Sequence, residues 1–307
     1  MSVLAGVRPD DREPTAVRLG AMLARSAGED LVVCTVVPSA WPAGVGRIDA
    51  EYQEYLDGIA QEALDRARTG CPSDLRADYV ALHARSVPSG LLDVAARREV
   101  STVVVGSSSA GMLGHVAVGS VAEWLLHSSP LPLAFAPRGY RCRPEAVVTR
   151  VTAAFGGAPG SADLVVAAAR VAARMGASLR IASFAVRRRT ILTAGVGSRA
   201  EDAVVAEWVR GAGEAQRDVL RQIADLPVAP HDVTTVVGYG HGWGPALEDV
   251  EWRDGDVLVV GSSSAGPAAR VFLGAHGSKI VRHAPVPVVV VPRSAVTDLL
   301  DAPPPAA

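Results

Sequence analysis

The chain has 307 residues, 49% hydrophobic and 20% charged, with a formal net charge of −2. That length allows about two domains of ordinary size, each able to bury its own core. The near-neutral charge provides no broad attraction to nucleic acid or to an anionic membrane, and three cysteines without a CxxC pair argue against a disulfide framework or a structural zinc site.

Taken in chain order, the first half alternates short apolar runs with longer amphipathic segments. Strands are predicted at Val3–Val7, Leu31–Val37, Arg76–Leu82, Thr102–Gly106 and Leu131–Ala136. Helices are predicted at Thr15–Arg25, Ala50–Arg68, Ser89–Arg98 and Gly119–Ser128. Runs such as Thr102-Val103-Val104-Val105 lack polar alternation, so both faces are expected to be covered, as in a parallel α/β sheet. Arg138-Gly139-Tyr140-Arg141-Cys142-Arg143-Pro144 reads as a linker.

The second half repeats the order. Strands fit at Val148–Phe155, Ser178–Val186, Val233–Gly238, Val257–Gly261 and Val286–Val291, and helices at Ser161–Met175, Glu201–Ala224, Pro245–Trp252 and Gly274–His283. The expected fold is therefore α/β, with two tandem doubly wound domains, 1-140 and 146-295. Each carries a five-stranded parallel sheet flanked by helices. Arg187-Arg188-Arg189 is read as a solvated loop and the tail from Asp301 as a loose end. The apolar start, without a basic leader, and the lack of an 18-residue apolar run lead us to expect a cytoplasmic protein with no membrane span.

The two halves are copies. Val104-Val105-Gly106-Ser107-Ser108-Ser109-Ala110-Gly111 returns as Val259-Val260-Gly261-Ser262-Ser263-Ser264-Ala265-Gly266, each residue 155 positions later, and Gly119 maps to Gly274. A period of about 150 residues is the size of a whole domain rather than of a solenoid repeat. The repeated stretch follows the fourth strand and precedes a helix, where open α/β sheets bind ligands. Small residues there let backbone N–H groups approach a phosphate, and Gly119-Ser120 adds a helix N-terminus and a hydroxyl. Equally, these residues could only make a tight turn, with Ser120 capping the helix.

These features resemble the universal stress protein family, in the tandem form common in actinobacteria. Its nucleotide signature is Gly, two residues, Gly, nine residues, then Gly-Ser or Gly-Thr, followed by a helix and a Pro-x-Pro strand. Here that signature runs from Gly106 to Ser120 and on to Pro130-Leu131-Pro132, and again from Gly261 to Ala275 and on to Pro285-Val286-Pro287. The resemblance implies a non-enzymatic, ATP-binding regulatory or stress-response protein. Adenine is expected near Gly6, Val7 and Val37, with phosphates on Gly106–Met112 and Gly119-Ser120. Gly261, Ser262, Ser263, Ser264, Ala265, Gly266 and Gly274 form the corresponding set in the second half. It further implies an unidentified protein partner and association into a homodimer.

The sequence departs from the signature at several points. Ser109 and Ser264 replace its second Gly, Ala275 replaces the final Ser, and Arg8 and Gly156 stand where ATP-binding members carry an Asp after the first strand. The first half is thus the better candidate for ATP. The alternative is a degenerate module that binds no ATP and acts through protein-protein interaction. His115, His127, His241, His276 and His283 are scattered without a metal-ligand spacing, so no metal is expected. Trp124, Trp208, Trp243 and Trp252 read as packing or interface residues.

Overall fold

The β-branched runs form parallel strands buried on both faces: Val103, Val104, Leu258 and Val290 have no more than marginal exposure. A computed structural model of the chain describes residues 1–11, 13–38, 47–109, 111–158, 160–186, 198–262 and 274–301. The chain divides into two compact units, Met1–Val147 and Val148–Ala307.

The first unit contains β1 (Ser2–Gly6), α1 (Thr15–Ala27), β2 (Asp30–Pro38), α2 (Arg47–Gly70), β3 (Ala77–Ala84), α3 (Val87–Arg97), β4 (Val100–Gly106), α4 (Ser120–Ser128) and β5 (Leu133–Ala136). Its strands lie in the order β3-β2-β1-β4-β5, all parallel. The chain winds from β1 through β2 to β3, then returns to the other side of β1 with β4. The carboxyl ends of β1 and β4 therefore lie side by side at the switch point, with Gly6 in register with Val105.

Helix α1 packs on β1 and β4 and touches α2, while α3 packs on β2, β3 and β4 and touches α4. Helix α1 approaches closely because its inner stripe is small: a Cβ on Gly20 would touch Leu31, Ala5 and Val104. It ends at Gly28, whose left-handed backbone turns its N–H onto the carbonyls of Ala24 and Arg25. Helix α3 is capped by Ser86, whose hydroxyl accepts from the Ser89 N–H.

The second unit repeats this plan with β6 (Arg150–Ala154), α5 (Ser161–Arg174), β7 (Ser178–Val186), α6 (Ser198–Ala224), β8 (Val233–Gly240), α7 (Trp243–Glu248), β9 (Asp256–Gly261), α8 (Ala275–His283) and β10 (Val288–Val291). Its order is β8-β7-β6-β9-β10, again all parallel. Helix α7 stops four residues short of the expected Trp252. The indole of that residue turns back and donates to the Leu247 carbonyl at 2.7 Å. One element was not expected at all. Helix α9 (Arg293–Asp301) follows β10 and lies along α5, where Arg170 donates to the carbonyls of Leu299 and Leu300. Arg187-Arg188-Arg189 lies outside the described residues.

Residues 138–144, expected to be a linker, belong to the first unit, and they and Ala146 just beyond are fastened to α1. Arg18 Nη1 donates to the Tyr140 carbonyl at 3.5 Å, Tyr140 Oη lies 3.3 Å from Met22 Sδ, and Arg25 donates to the Ala146 carbonyl at 3.0 Å.

Candidate functional site

The site in the first unit is assembled from the ends of β1, β2 and β4 and the start of α4. Gly6 ends β1, and the next N–H, that of Val7, donates to the Cys34 carbonyl at 2.9 Å. Val7 and Val37 are both buried, so their side chains form the floor of this edge rather than its rim. Gly106 ends β4 beside Thr15, whose Oγ1 would lie 3.2 Å from an added Cβ. A Cβ on Gly119 would meet the Ser108 Cβ at 3.4 Å. The fold thus brings Gly106, Ser108 and Gly119 together with the first residue of α1.

Loop 106–119 holds its shape through its own polar groups. The Ser107 N–H donates to Ala136, anchoring the loop to β5, while its hydroxyl accepts from the Ala117 N–H at 2.7 Å and donates to the His115 carbonyl. The Ser108 N–H donates to the Ala117 carbonyl at 2.9 Å. Gly111 lies directly against Ala117, and a Cβ there would overlap the alanine methyl. Ser107 is therefore a structural fastener. Ser109, Met112 and Ser120 are exposed, with Met112 at 69%. Ala110 lies outside the described residues.

Ser120 is the first residue of α4, after Gly119 in an extended conformation. The opening amides of a helix have no intrahelical acceptor and favour an anion. The acidic Glu123 in the same turn works against part of that field. The Nδ1 of His115, in the same loop, is buried without a hydrogen-bond partner. This orphaned atom and the cradle of small residues are compatible with a phosphate-bearing ligand.

Arg8 is engaged by its neighbours. Its Nε and Nη2 donate to Asp11 Oδ1 at 3.0 and 2.7 Å, its backbone N–H donates to Asp11 Oδ2, and Asp10 lies 3.6 Å away. The bond to Asp11 raises the Arg8 pKa above its ordinary value, against the opposing effect of partial burial. The charge at this position is thus largely neutralised within the β1–α1 loop.

The second unit treats the same positions differently. Gly261 ends β9 against Leu164, and the Ser262 N–H donates to Val291, the bond that Ser107 makes 155 residues earlier. The Ser262 hydroxyl, however, accepts from the Arg293 N–H at 3.2 Å and so caps α9. Gly274 precedes α8, whose first residue is Ala275 and offers no hydroxyl. Ser263, Ser264, Ala265 and Gly266 lie outside the described residues. Near this edge Trp243 packs between Phe184 and His276, with ring centroids 6.4 and 5.4 Å apart.

Elsewhere in the second unit polar and aromatic groups serve the fold. Asp249 accepts from the Tyr239 N–H, while Trp252 stacks on Arg180 with the guanidinium carbon 4.6 Å from the ring centre. Among the described residues, Trp124 and Trp208 are the exposed tryptophans, at 47% and 42%. Among the described residues no group of three His, Cys, Asp or Glu is placed to hold a metal ion, and no helix is long and apolar enough to cross a membrane.

Sequence reading missed a buried cluster at the opposite end of the second sheet. Arg150 and Asp256 begin β6 and β9, and Arg180 lies in β7. Arg180 Nε donates to Thr152 Oγ1 at 3.1 Å and its Nη1 to the Glu251 carbonyl at 2.6 Å. Its Nη2 lies 3.6 Å from Asp256, an ion pair without a hydrogen bond. Burial lowers the Arg180 pKa to about 10, with the positive charge of Arg150 adding to the effect. The signal available in the sequence was an Arg within the otherwise apolar run Ser178–Val186.

Comparison with known proteins identifies the family. The sequence model of the universal stress protein family matches residues 1–137 and 148–292. Universal stress proteins of Mycobacterium tuberculosis and Mycobacterium bovis are each 36% identical over 296 residues, covering 95% of this chain and 100% of theirs. A universal stress protein of Archaeoglobus fulgidus shares the fold with a TM-score of 0.57 at 18% identity, over 95% of this chain and 98% of that one. A putative universal stress protein of Pseudomonas aeruginosa does so with a TM-score of 0.55 at 13% identity, over 97% and 95%. The chain belongs to the universal stress protein family.

Proposed function

We propose that this universal stress protein binds an adenine nucleotide, ATP, in its first unit and acts as a regulatory, non-enzymatic stress-response protein. Adenine would lie at the ends of β1 and β2, near Gly6, Val7 and Val37. Phosphates would lie on the backbone of Gly106–Met112 and on Gly119-Ser120. The observation that carries this reading is the approach of Ser108 to Gly119 beside Gly106 and Thr15, at the switch point between β1 and β4. Small residues and a helix N-terminus meet there, as phosphate binding requires. The second unit is the weaker site, because Ser262 is committed to α9 and Ala275 lacks a hydroxyl.

A second reading is favoured by the state of Arg8, which is held by Asp11 and Asp10 instead of facing a ligand. On that reading the protein has lost ATP binding and works through a protein partner. Mass spectrometry of nucleotide released by denaturing the purified protein, followed by calorimetry with ATP, separates the two. Bound or titratable ATP supports the first reading; its absence from both experiments supports the second.

A further inference from the structure

We infer that Arg138 is the positioning residue of the first-unit glycine-serine loop, setting the loop's backbone for a phosphate-bearing ligand and joining it to α1 through a strap at residues 138–142. The phosphate part of this inference rests on the nucleotide reading above.

Arg138 follows β5 after Pro137 and makes three hydrogen bonds to the outer part of the loop. Its N–H donates to the His115 carbonyl at 3.0 Å, its carbonyl accepts from the Gly114 N–H at 2.9 Å, and its Nη1 donates to the Gly111 carbonyl at 2.5 Å. The last is charge-assisted and stronger than a neutral bond. The loop is thus fastened at its inner end by Ser107 and Ser108 to Ala117, and at its outer end by Arg138.

The bond to Gly111 has a directional effect. In a planar trans peptide the C=O of one residue and the N–H of the next point in opposite directions. With the Gly111 carbonyl held by Arg138, the Met112 N–H must point away from the strap. Turning that peptide requires breaking the bond. Arg138 therefore fixes the direction of a backbone donor in the stretch assigned to phosphate.

The strap then reaches the other side of the site. Gly139, beside Leu113 at the loop apex, adopts φ +72°, the left-handed region that favours glycine. Arg141 pairs with Glu13 at 3.2 Å, on the segment that carries Arg8 and Asp11. Tyr140 is joined to Arg18 and Met22 of α1. In the second unit the equivalent Arg293 gives its N–H to Ser262 and opens α9.

The test uses the full chain as wild type, Arg138→Ala and Arg138→Lys. Hydrogen exchange of the ligand-free proteins should be faster over residues 111–117 in Arg138→Ala and restored toward wild type in Arg138→Lys. Unchanged exchange in Arg138→Ala overturns the inference whatever the ligand. In calorimetry, Arg138→Ala should weaken ATP about tenfold, the scale of one charged hydrogen bond, and leave adenosine unchanged. Equal losses for ATP and adenosine would overturn the positioning role and leave Arg138 a general support of the fold. Wild type that binds neither overturns the nucleotide reading and the phosphate part of this inference, while exchange still decides whether Arg138 latches the loop.

Discussion

Asp256, 1% exposed at its side chain, accepts from Arg150 Nε at 3.0 Å and from Arg150 Nη2 at 2.6 Å. The Arg253 N–H also donates to it at 3.0 Å. Removing one partner from a buried pair leaves an uncompensated charge and costs about 3–5 kcal/mol. Asp256→Ala should destabilise the second unit by that order in urea unfolding followed by circular dichroism. Its counterpart Ser101 bonds through its hydroxyl to Ser2 and Glu29, so Ser101→Ala should cost on the order of 1 kcal/mol. Equal losses would refute the contrast.

Cys34 is fully buried, whereas Cys71 and Cys142 are half-buried. A thiol reagent at pH 8 should therefore label Cys71 and Cys142 in the native protein and Cys34 only after denaturation. Burial raises the Cys34 pKa from 9.0 to about 12. Between those values the native state keeps a proton that the unfolded chain loses, so its contribution is complete below pH 9 and falls as pH rises. The slope is about 1.4 kcal/mol per pH unit. Comparing the alkaline stability profiles of wild type and Cys34→Ala isolates it, and parallel profiles would contradict the assignment.

Ser107 and Ser120 should separate structure from ligand contact. Ser107→Ala leaves the Ala117 N–H unpaired and should cost about 1 kcal/mol of stability without any ligand. Ser120 is exposed at the start of α4, so Ser120→Ala should change stability by no more than about 0.5 kcal/mol. It should still weaken ATP roughly tenfold. Thermal unfolding measures the first quantity and calorimetry the second. If ATP binds and Ser120→Ala leaves its affinity unchanged, the placing of phosphate on Gly119-Ser120 is wrong.

Helix α9 buries Ala295 and Val296 and accepts from Arg170 through its last carbonyls. Truncation after Pro292 exposes that surface and removes the partner of Ser262. Burial of one valine alone contributes about 1.5–3 kcal/mol. The truncated protein should therefore unfold at lower urea than wild type, with the loss confined to the second unit in hydrogen exchange. An unchanged midpoint would show α9 to be dispensable.

Much of this architecture was legible because it depends on periodicity. The runs Thr102-Val103-Val104-Val105 and Val257-Leu258-Val259-Val260, without polar alternation, announce strands covered on both faces, and the repeated Gly-Ser loop marks the switch-point edge. Contacts between distant residues were not legible. Arg138-Gly139 carries the composition of a linker, and nothing local says that its carbonyl meets Gly114. Helix α9 did leave a signal, since Ala295, Val296, Leu299 and Leu300 recur at helical spacing. Arg180 stands out within an apolar run, but its partner Asp256 does not, and only the register of β6, β7 and β9 puts them together. At the site, the loop's location was readable but the commitment of Ser107 and Ser262 to internal bonds was not.

The stacking of Trp252 on Arg180 has an optical consequence. Together with the packed Trp243, it concentrates indoles in folded surroundings within the second unit. In the first unit Trp124 is nearly half exposed, and Trp41 lies outside the described residues. Loss of the Trp252 and Trp243 contacts makes intrinsic emission a reporter of the second unit's melting, while far-ultraviolet ellipticity reports both units. Superimposed curves from the two probes would mean that the units melt together, and displaced curves that each melts alone.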